Sequence, residues 1–189
     1  MTISAAQVKE LREITGAGIM ESKRALEEAS GDLRKAEAIL MQQGVAKAEK
    51  KAGRAAQQGI VEPYIHGGGR IAALVEVNCE TDFVARTEDF KALAHDVAMQ
   101  VAAMAPKYIS AEDVPEADWS ELEREFGDRK RAAEAVCLLD QAFIKDPKQS
   151  VRDLNKVAIG KLGENVIIRR FARFEVGADH PPLEETDSE

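Results

Sequence analysis

The sequence predicts an α+β fold, with a three-helix module at the N-terminus followed by a larger domain in which an antiparallel sheet is packed by helices. Three observations predict it. Apolar residues recur at helical spacing through the first part of the chain, interrupted by glycine-bearing turns. Two β-like runs, Gly59 to His66 and Ile71 to Val77, flank Gly67-Gly68-Gly69-Arg70, whose glycines permit positive φ and make a hairpin the simplest reading. No strand–helix–strand rhythm follows, so a parallel sheet is not indicated.

Each element has a local reason. Ser4 and Gln7 form a capping box at the start of a first helix, with Val8, Leu11 and Ile14 as its apolar stripe. Thr15-Gly16-Ala17-Gly18 breaks that helix. A second runs from about Ile19 to Ala29 and stops at Ser30-Gly31. Asp32 can cap a third, striped by Leu33, Ala36, Ile39 and Leu40 and expected to end at Gly44. Residues 45–57 are Ala- and Lys-rich and read as an exposed, basic helical linker. After the hairpin, Thr87 to Met104 is helical, with Phe90, Leu93, Val97, Val101 and Met104 in register. Pro106 to Pro115 reads as a loop or short strand, and amphipathic helices follow near Glu116 to Phe126 and Lys130 to Phe143. Val151 to Leu162 is a further helix, ended by Gly163. Glu164 to Val176 reads as one long strand, with Val166, Ile168, Ala172, Phe174 and Val176 on one face and Arg169 and Arg173 on the other. The expected organisation is therefore a module over 1–44, a linker over 45–57, an α+β core over 58–177 and an acidic, disordered tail over 178–189.

Composition narrows the function classes. The chain has 189 residues, is 44% hydrophobic but only 5% aromatic, and carries a net charge of −8, so its core is built from Ala, Leu, Val and Ile. That charge argues against general nucleic-acid binding, which needs clustered cations; the one basic run is Lys47 to Arg54. Two cysteines, Cys79 and Cys137, make no disulfide framework and fit a reducing cytosol. No signal-like segment and no apolar run of about 20 residues is present, and a cytoplasmic protein is the expectation.

Catalytic chemistry has little support. His66, His95 and His180 are scattered, and neither His-Glu-x-x-His nor Cys-x-x-Cys spacing occurs, so no metal or other cofactor is expected. Gly67 to Gly69 lacks the Gly-Lys-Ser/Thr of a phosphate loop. Cys79 would approach His66 only under one hairpin pairing, and a buried spectator thiol is the plainer reading. The most informative stretch is Asn78-Cys79-Glu80-Thr81-Asp82-Phe83-Val84-Ala85-Arg86, at a strand-to-helix turn. Thr81 or Asp82 there is an ordinary helix cap and Phe83 an ordinary core residue. Alternatively Asp82 and Phe83 protrude, the ring to fill a partner pocket and the carboxylate to disturb a bound phosphate or Mg²⁺. In the N-terminal module Leu11 fits the core stripe and Arg12 falls off it into solvent. Ile19 and Met20 follow a glycine-rich turn, either covering the bundle or facing a partner, and the residues alone leave both open.

Four segments, in order, resemble the elongation factor Ts family: Leu11-Arg12-Glu13-Ile14-Thr15-Gly16-Ala17-Gly18-Ile19-Met20 with its continuation to Leu26, Val77 to Arg86 with its Thr81-Asp82-Phe83-Val84 signature, Leu138 to Phe143, and Lys161 to Phe171. The resemblance covers all but the last dozen or so residues. It implies a ubiquitin-associated-like module, a linker and an α+β core that together grip the GTPase elongation factor Tu, without covalent chemistry. It also implies that Asp82 and Phe83 intrude beside the Mg²⁺ and phosphate site so that GDP leaves and GTP enters, with Leu11, Arg12, Ile19 and Met20 as the module's contacts. Only one Thr-Asp-Phe element is present and 105–142 is short, as in short members that pair as homodimers; Ile19 stands where a methionine is frequent. Competing readings are a helix- or peptide-binding adaptor, a thiol enzyme using Cys79 or Cys137, and an RNA contact through Lys47 to Arg54.

Overall fold

The computed structural model describes residues 3–178. Its first helix, α1 (Ala5–Thr15), opens on the expected capping box: the Ser4 hydroxyl accepts from the Gln7 amide and the Gln7 side chain accepts from the Ser4 amide. Gly16, at φ 67°, ends it with a left-handed residue that L side chains rarely adopt. The second helix, α2 (Ile19–Glu28), packs its Ala25 and Leu26 on Leu11, and the third, α3 (Leu33–Glu49), is capped by Asp32 and closes the small core with Ala36 and Leu40.

Two expectations for this module are corrected. Helix α3 does not end at Gly44 but runs on to Glu49, so the linker expected from residue 45 is helical only that far. Its Ala48 belongs to the main core, and Ala56 beyond it is buried too. The reason is a tertiary crossing. Gly44 faces Gly160 so closely that a Cβ on Gly160 would stand 2.9 Å from the Gly44 Cα. Glycine here serves close approach between helices rather than helix termination. Ile14, the third member of the α1 stripe, is exposed; with Leu40, Gly160 and Lys161 it lines an open groove of about 410 Å³ beside the bundle.

The main domain is built on strands β1 (Gln58–His66), β2 (Ile71–Cys79) and β5 (Ile167–Glu175), antiparallel in the order β1-β2-β5. Gly67, Gly68 and Gly69 all take positive φ, as the hairpin reading requires. Gly59 is needed for another reason: a Cβ there would collide with the Val77 carbonyl oxygen of the paired strand. Ala73, Val75, Val77 and Cys79 point to one face, where α5 (Glu88–Met104) lays Phe90, Leu93, Val97 and Val101 on them. Burying a side chain such as Phe90 stabilises the fold by about 1.5–3 kcal/mol. Thr87 caps α5.

Strand β5 starts at Ile167, later than expected, and its expected faces are corrected by a bulge. Val77 pairs with Ile168 and Glu76 with Arg170, so Arg169 is skipped. Past that point the alternation inverts. Phe171 packs on the core and Arg173 turns inward to donate to the Ala102 carbonyl at 3.0 Å, while Phe174 and Val176 are sent to the open face.

Between these strands lie α6 (Glu116–Phe126), α7 (Arg129–Val136), a short hairpin of β3 (Ala142–Phe143) and β4 (Asp146–Ser150), and α8 (Val151–Leu162). Residues 106–115 form a loop with a 3₁₀ turn at Ala111–Asp113 and one bridge, Tyr108 to Cys137. The helix expected from Lys130 to Phe143 is corrected to end at Val136. There the chain leaves to pair with residues 107–109, Leu138 donating to the Tyr108 carbonyl at 2.9 Å. Two buried amides then hold the β3–β4 hairpin in place: Gln100 donates to Gln141 and to the Ala142 carbonyl and accepts from the Ile144 amide at 2.9 Å. Buried amides satisfied in this way specify one packing arrangement. Helix α8 ends at Gly163, φ 77°, as expected. The acidic tail lies, apart from Ala178, outside the described residues.

Candidate functional site

Strand β2 runs out at Cys79, and three residues later a four-residue helix, α4 (Asp82–Ala85), begins. Thr81 is its cap: the hydroxyl accepts from the Val84 amide at 3.4 Å. The same hydroxyl donates to Glu164 Oε1 at 2.6 Å. Glu164 Oε2 accepts from the Glu80 amide at 3.1 Å and from the Thr81 amide at 3.0 Å. One carboxylate thus takes three donors from two consecutive residues, and hydrogen bonds to a charged acceptor are the strong kind.

A second set of bonds returns in the other direction. Glu80 Oε1 accepts from the Asn165 amide at 2.7 Å, with Arg54 at 3.5 Å. The buried Asn165 side chain donates to the Arg54 carbonyl at 2.8 Å. Cys79 donates its thiol proton to the Thr81 carbonyl at 3.1 Å from below. Burial, and then the nearby Glu164 charge, push that thiol above its ordinary range. Cys137 is pushed up to about 11, by burial first. Neither is a poised nucleophile. Cys79 pairs with Gln58 and His66 with Ile71, at opposite ends of the hairpin, so they do not meet.

What this turn supports is exposed. Phe83 is 77% accessible, the most exposed large apolar side chain among the described residues. Val84 packs against the core and Ala85 is buried, so α4 sits on the domain by one side and presents Phe83 on the other. Asp82 is half-exposed and meets Arg86 one turn on, at 2.7 Å. Thr81 and Val84 are therefore anchors, while Asp82 and Phe83 project. An exposed aromatic of this size on a fixed turn is unusual on an isolated surface and suits a partner pocket.

The second candidate region lies in the module. Leu11 is fully buried in its core. Arg12 is exposed yet engaged, its Nε donating to the Ala17 carbonyl at 3.3 Å. Thr15 donates to the Leu11 carbonyl at 2.7 Å and accepts from the Ala17 amide. The resulting loop delivers Ile19 and Met20 at the start of α2, 58% and 66% accessible. They face outward and do not cover the bundle.

Among the described residues no group of three His, Cys, Asp or Glu is arranged to hold a metal, and no helix is long and apolar enough to cross a membrane. His95 instead pairs with Glu62 at 3.0 Å and packs its edge on Tyr64. Glu164 and Asn165, which hold the turn, are not singled out by any local signal. They follow a helix-ending glycine and lie more than eighty residues from Glu80 and Thr81.

Known proteins resemble this chain over most of its length. The family model described as elongation factor TS matches residues 5–134. The chain is 53% identical to elongation factor Ts of Carboxydothermus hydrogenoformans, over 93% of this chain and 89% of that protein. It is 52% identical to elongation factor Ts of Caldanaerobacter subterraneus subsp. tengcongensis, over 93% of this chain and 97% of that one. It is 50% identical to elongation factor Ts of Coprothermobacter proteolyticus, over 94% of this chain and all of that protein.

Proposed function

The chain belongs to the elongation factor Ts family, and from that premise we propose that it is the guanine nucleotide exchange factor of elongation factor Tu, acting in the cytoplasm during translation elongation. The observation that carries the reading is the exposure of Phe83, beside Asp82, on a turn held by a network of charged hydrogen bonds.

In this mechanism the ubiquitin-associated-like module docks first through Ile19 and Met20. Arg12 secures the loop that presents them, and Leu11 contributes by holding α1 against α2. The core then presses Phe83 into a pocket of the GTPase, where burying the ring is worth about 1.5–3 kcal/mol. Asp82 enters beside the nucleotide's phosphates and Mg²⁺, repelling the first and competing for the second. Its pair with Arg86 is solvent-exposed, and such pairs contribute about 0–1 kcal/mol, so the carboxylate is readily freed. No bond is made or broken. Factor and nucleotide weaken each other's affinity reciprocally, each tenfold step needing about 1.4 kcal/mol of contacts made only in the opened GTPase. GDP leaves, and GTP later displaces the factor by the same coupling.

The open face of the sheet supports a homodimer. Across the three strands the bulge aligns Pro63, Leu74 and Ala172 in one row and Ile65, Ala72 and Phe174 in the next, edged by the Glu76–Arg170 ion pair. Ile65, Leu74 and Phe174 are exposed in the monomer. A self-complementary pairing of two such faces is the isologous arrangement expected of a two-fold dimer.

Release of a fluorescent GDP analogue from elongation factor Tu, with and without the protein, tests the exchange reading. Strong acceleration is expected. A tight complex without acceleration would make the protein an adaptor, and no complex would remove the reading altogether. Light scattering tests the dimer, with Phe174→Glu expected to give a monomer.

A further inference from the structure

The last turn of α8 and the segment joining it to β5 touch the N-terminal helices, α5 and the turn before α4. Gly160 fits against Gly44 of α3. Lys161 lies over Gly16, its side chain filling the space a Cβ would need, and pairs with Asp89 on α5 at 2.7 Å. Glu164 then takes its three donors from Glu80 and Thr81, and Asn165 ties Glu80 to the chain at Arg54.

Glu164 is the member that bears on the projecting pair. α4 has four residues, too short to be stable alone, since isolated helices need a dozen or more residues. Its first turn is specified from outside: the Thr81 hydroxyl caps it while that hydroxyl is itself oriented by Glu164 at 2.6 Å. The two amides before the helix point at the same carboxylate and fix the direction in which the chain leaves β2.

We propose that Glu164 is a positioning residue for nucleotide exchange, holding the Glu80–Thr81 turn so that Phe83 and Asp82 project as one preorganised wedge. The proposal rests on the exchange reading above. Glu164 does not touch the GTPase; it acts through the turn. Without it the turn samples other conformations, and the GTPase contacts must order it during docking, which weakens the step that opens the nucleotide site.

The test is a double-mutant cycle in the GDP-analogue release assay with elongation factor Tu. Glu164→Ala should lower the maximum release rate about tenfold, as expected for losing charged hydrogen bonds to a turn, while the half-saturating concentration set by Ile19 and Met20 stays within about twofold. In the Asp82→Ala/Phe83→Ala background the same change should have less than about twofold effect, because there is no wedge left to position. Glu164→Gln, which keeps an acceptor for the two amides, should restore most of the rate. Should Glu164→Ala fail to fold, Thr81→Val carries the same cycle with a smaller loss, about threefold on the intact wedge and none without it. A Glu164→Ala or Thr81→Val effect that is equally large in both backgrounds would make the residue a general structural support and overturn the proposal. So would full activity of Glu164→Ala. If the Asp82→Ala/Phe83→Ala chain keeps the wild-type rate, the wedge has failed and this proposal with it; if the wild type accelerates nothing, the exchange reading itself has failed.

Discussion

Two regions end in the same way and are built differently. At Thr81–Phe83 and at Gly18–Met20 a short turn delivers exposed apolar side chains at the start of a helix. The first turn is held by Glu164 and Asn165, 83 to 85 residues away along the chain. The second draws its hydrogen bonds from within, over two to five residues, Arg12 to Ala17, Thr15 to Leu11 and Ala17 to Thr15, with the Lys161 side chain of α8 packed over Gly16. A turn fixed by the tertiary structure can deliver force at a set position. A turn fixed mainly by its neighbours can adjust. In the proposed exchange, the difference suits Asp82 and Phe83 to the rigid role and Ile19 and Met20 to the adaptable, anchoring one.

The sharpest way to break this comparison is to remove each set of side chains in turn. Phe83→Ala should fold normally, since its ring makes little contact in the free protein, and should lower the maximum rate of GDP release by about 30- to 100-fold, the equivalent of about 2–3 kcal/mol. Ile19→Ala with Met20→Ala should raise the half-saturating concentration about tenfold and leave the maximum rate nearly unchanged. An equal loss of maximum rate in both variants would abolish the distinction. Amide hydrogen exchange reads it without the partner. Glu80 and Thr81 amides, bonded to Glu164, should exchange at least about tenfold slower than those of Gly18 and Ile19. The rigid frame behind both regions is tested by Gly160→Ala. The added methyl must push α3 away at Gly44, costing about 1–3 kcal/mol and lowering the melting temperature by about 3 to 10 °C for a chain of this size.

The same division decides how much was legible in the sequence. The caps Ser4 and Asp32, the glycine hairpin and the helical burial stripe of α5 depend on neighbours in sequence, and the sequence displays them. Gly44 misled because a local rule, glycine as a helix end, was overridden by a contact with Gly160 more than a hundred residues on. The β5 faces misled because simple alternation carries no sign of a bulge at Arg169. Thr81-Asp82-Phe83 could be found from its residues, but not whether Phe83 was inside or out. That depended on Val84 and Ala85 packing inward, and on Glu164, which no pattern near the turn reveals.

The most direct measurement is a stopped-flow titration of GDP-analogue release from elongation factor Tu, comparing the wild type, Asp82→Ala/Phe83→Ala and Ile19→Ala/Met20→Ala over a range of factor concentrations. With a rigid wedge and an adaptable anchor, the wedge variant still saturates, at a maximum rate close to spontaneous release, while the module variant reaches the wild-type maximum at higher concentration. A wedge variant that reaches the wild-type maximum would contradict that division of labour.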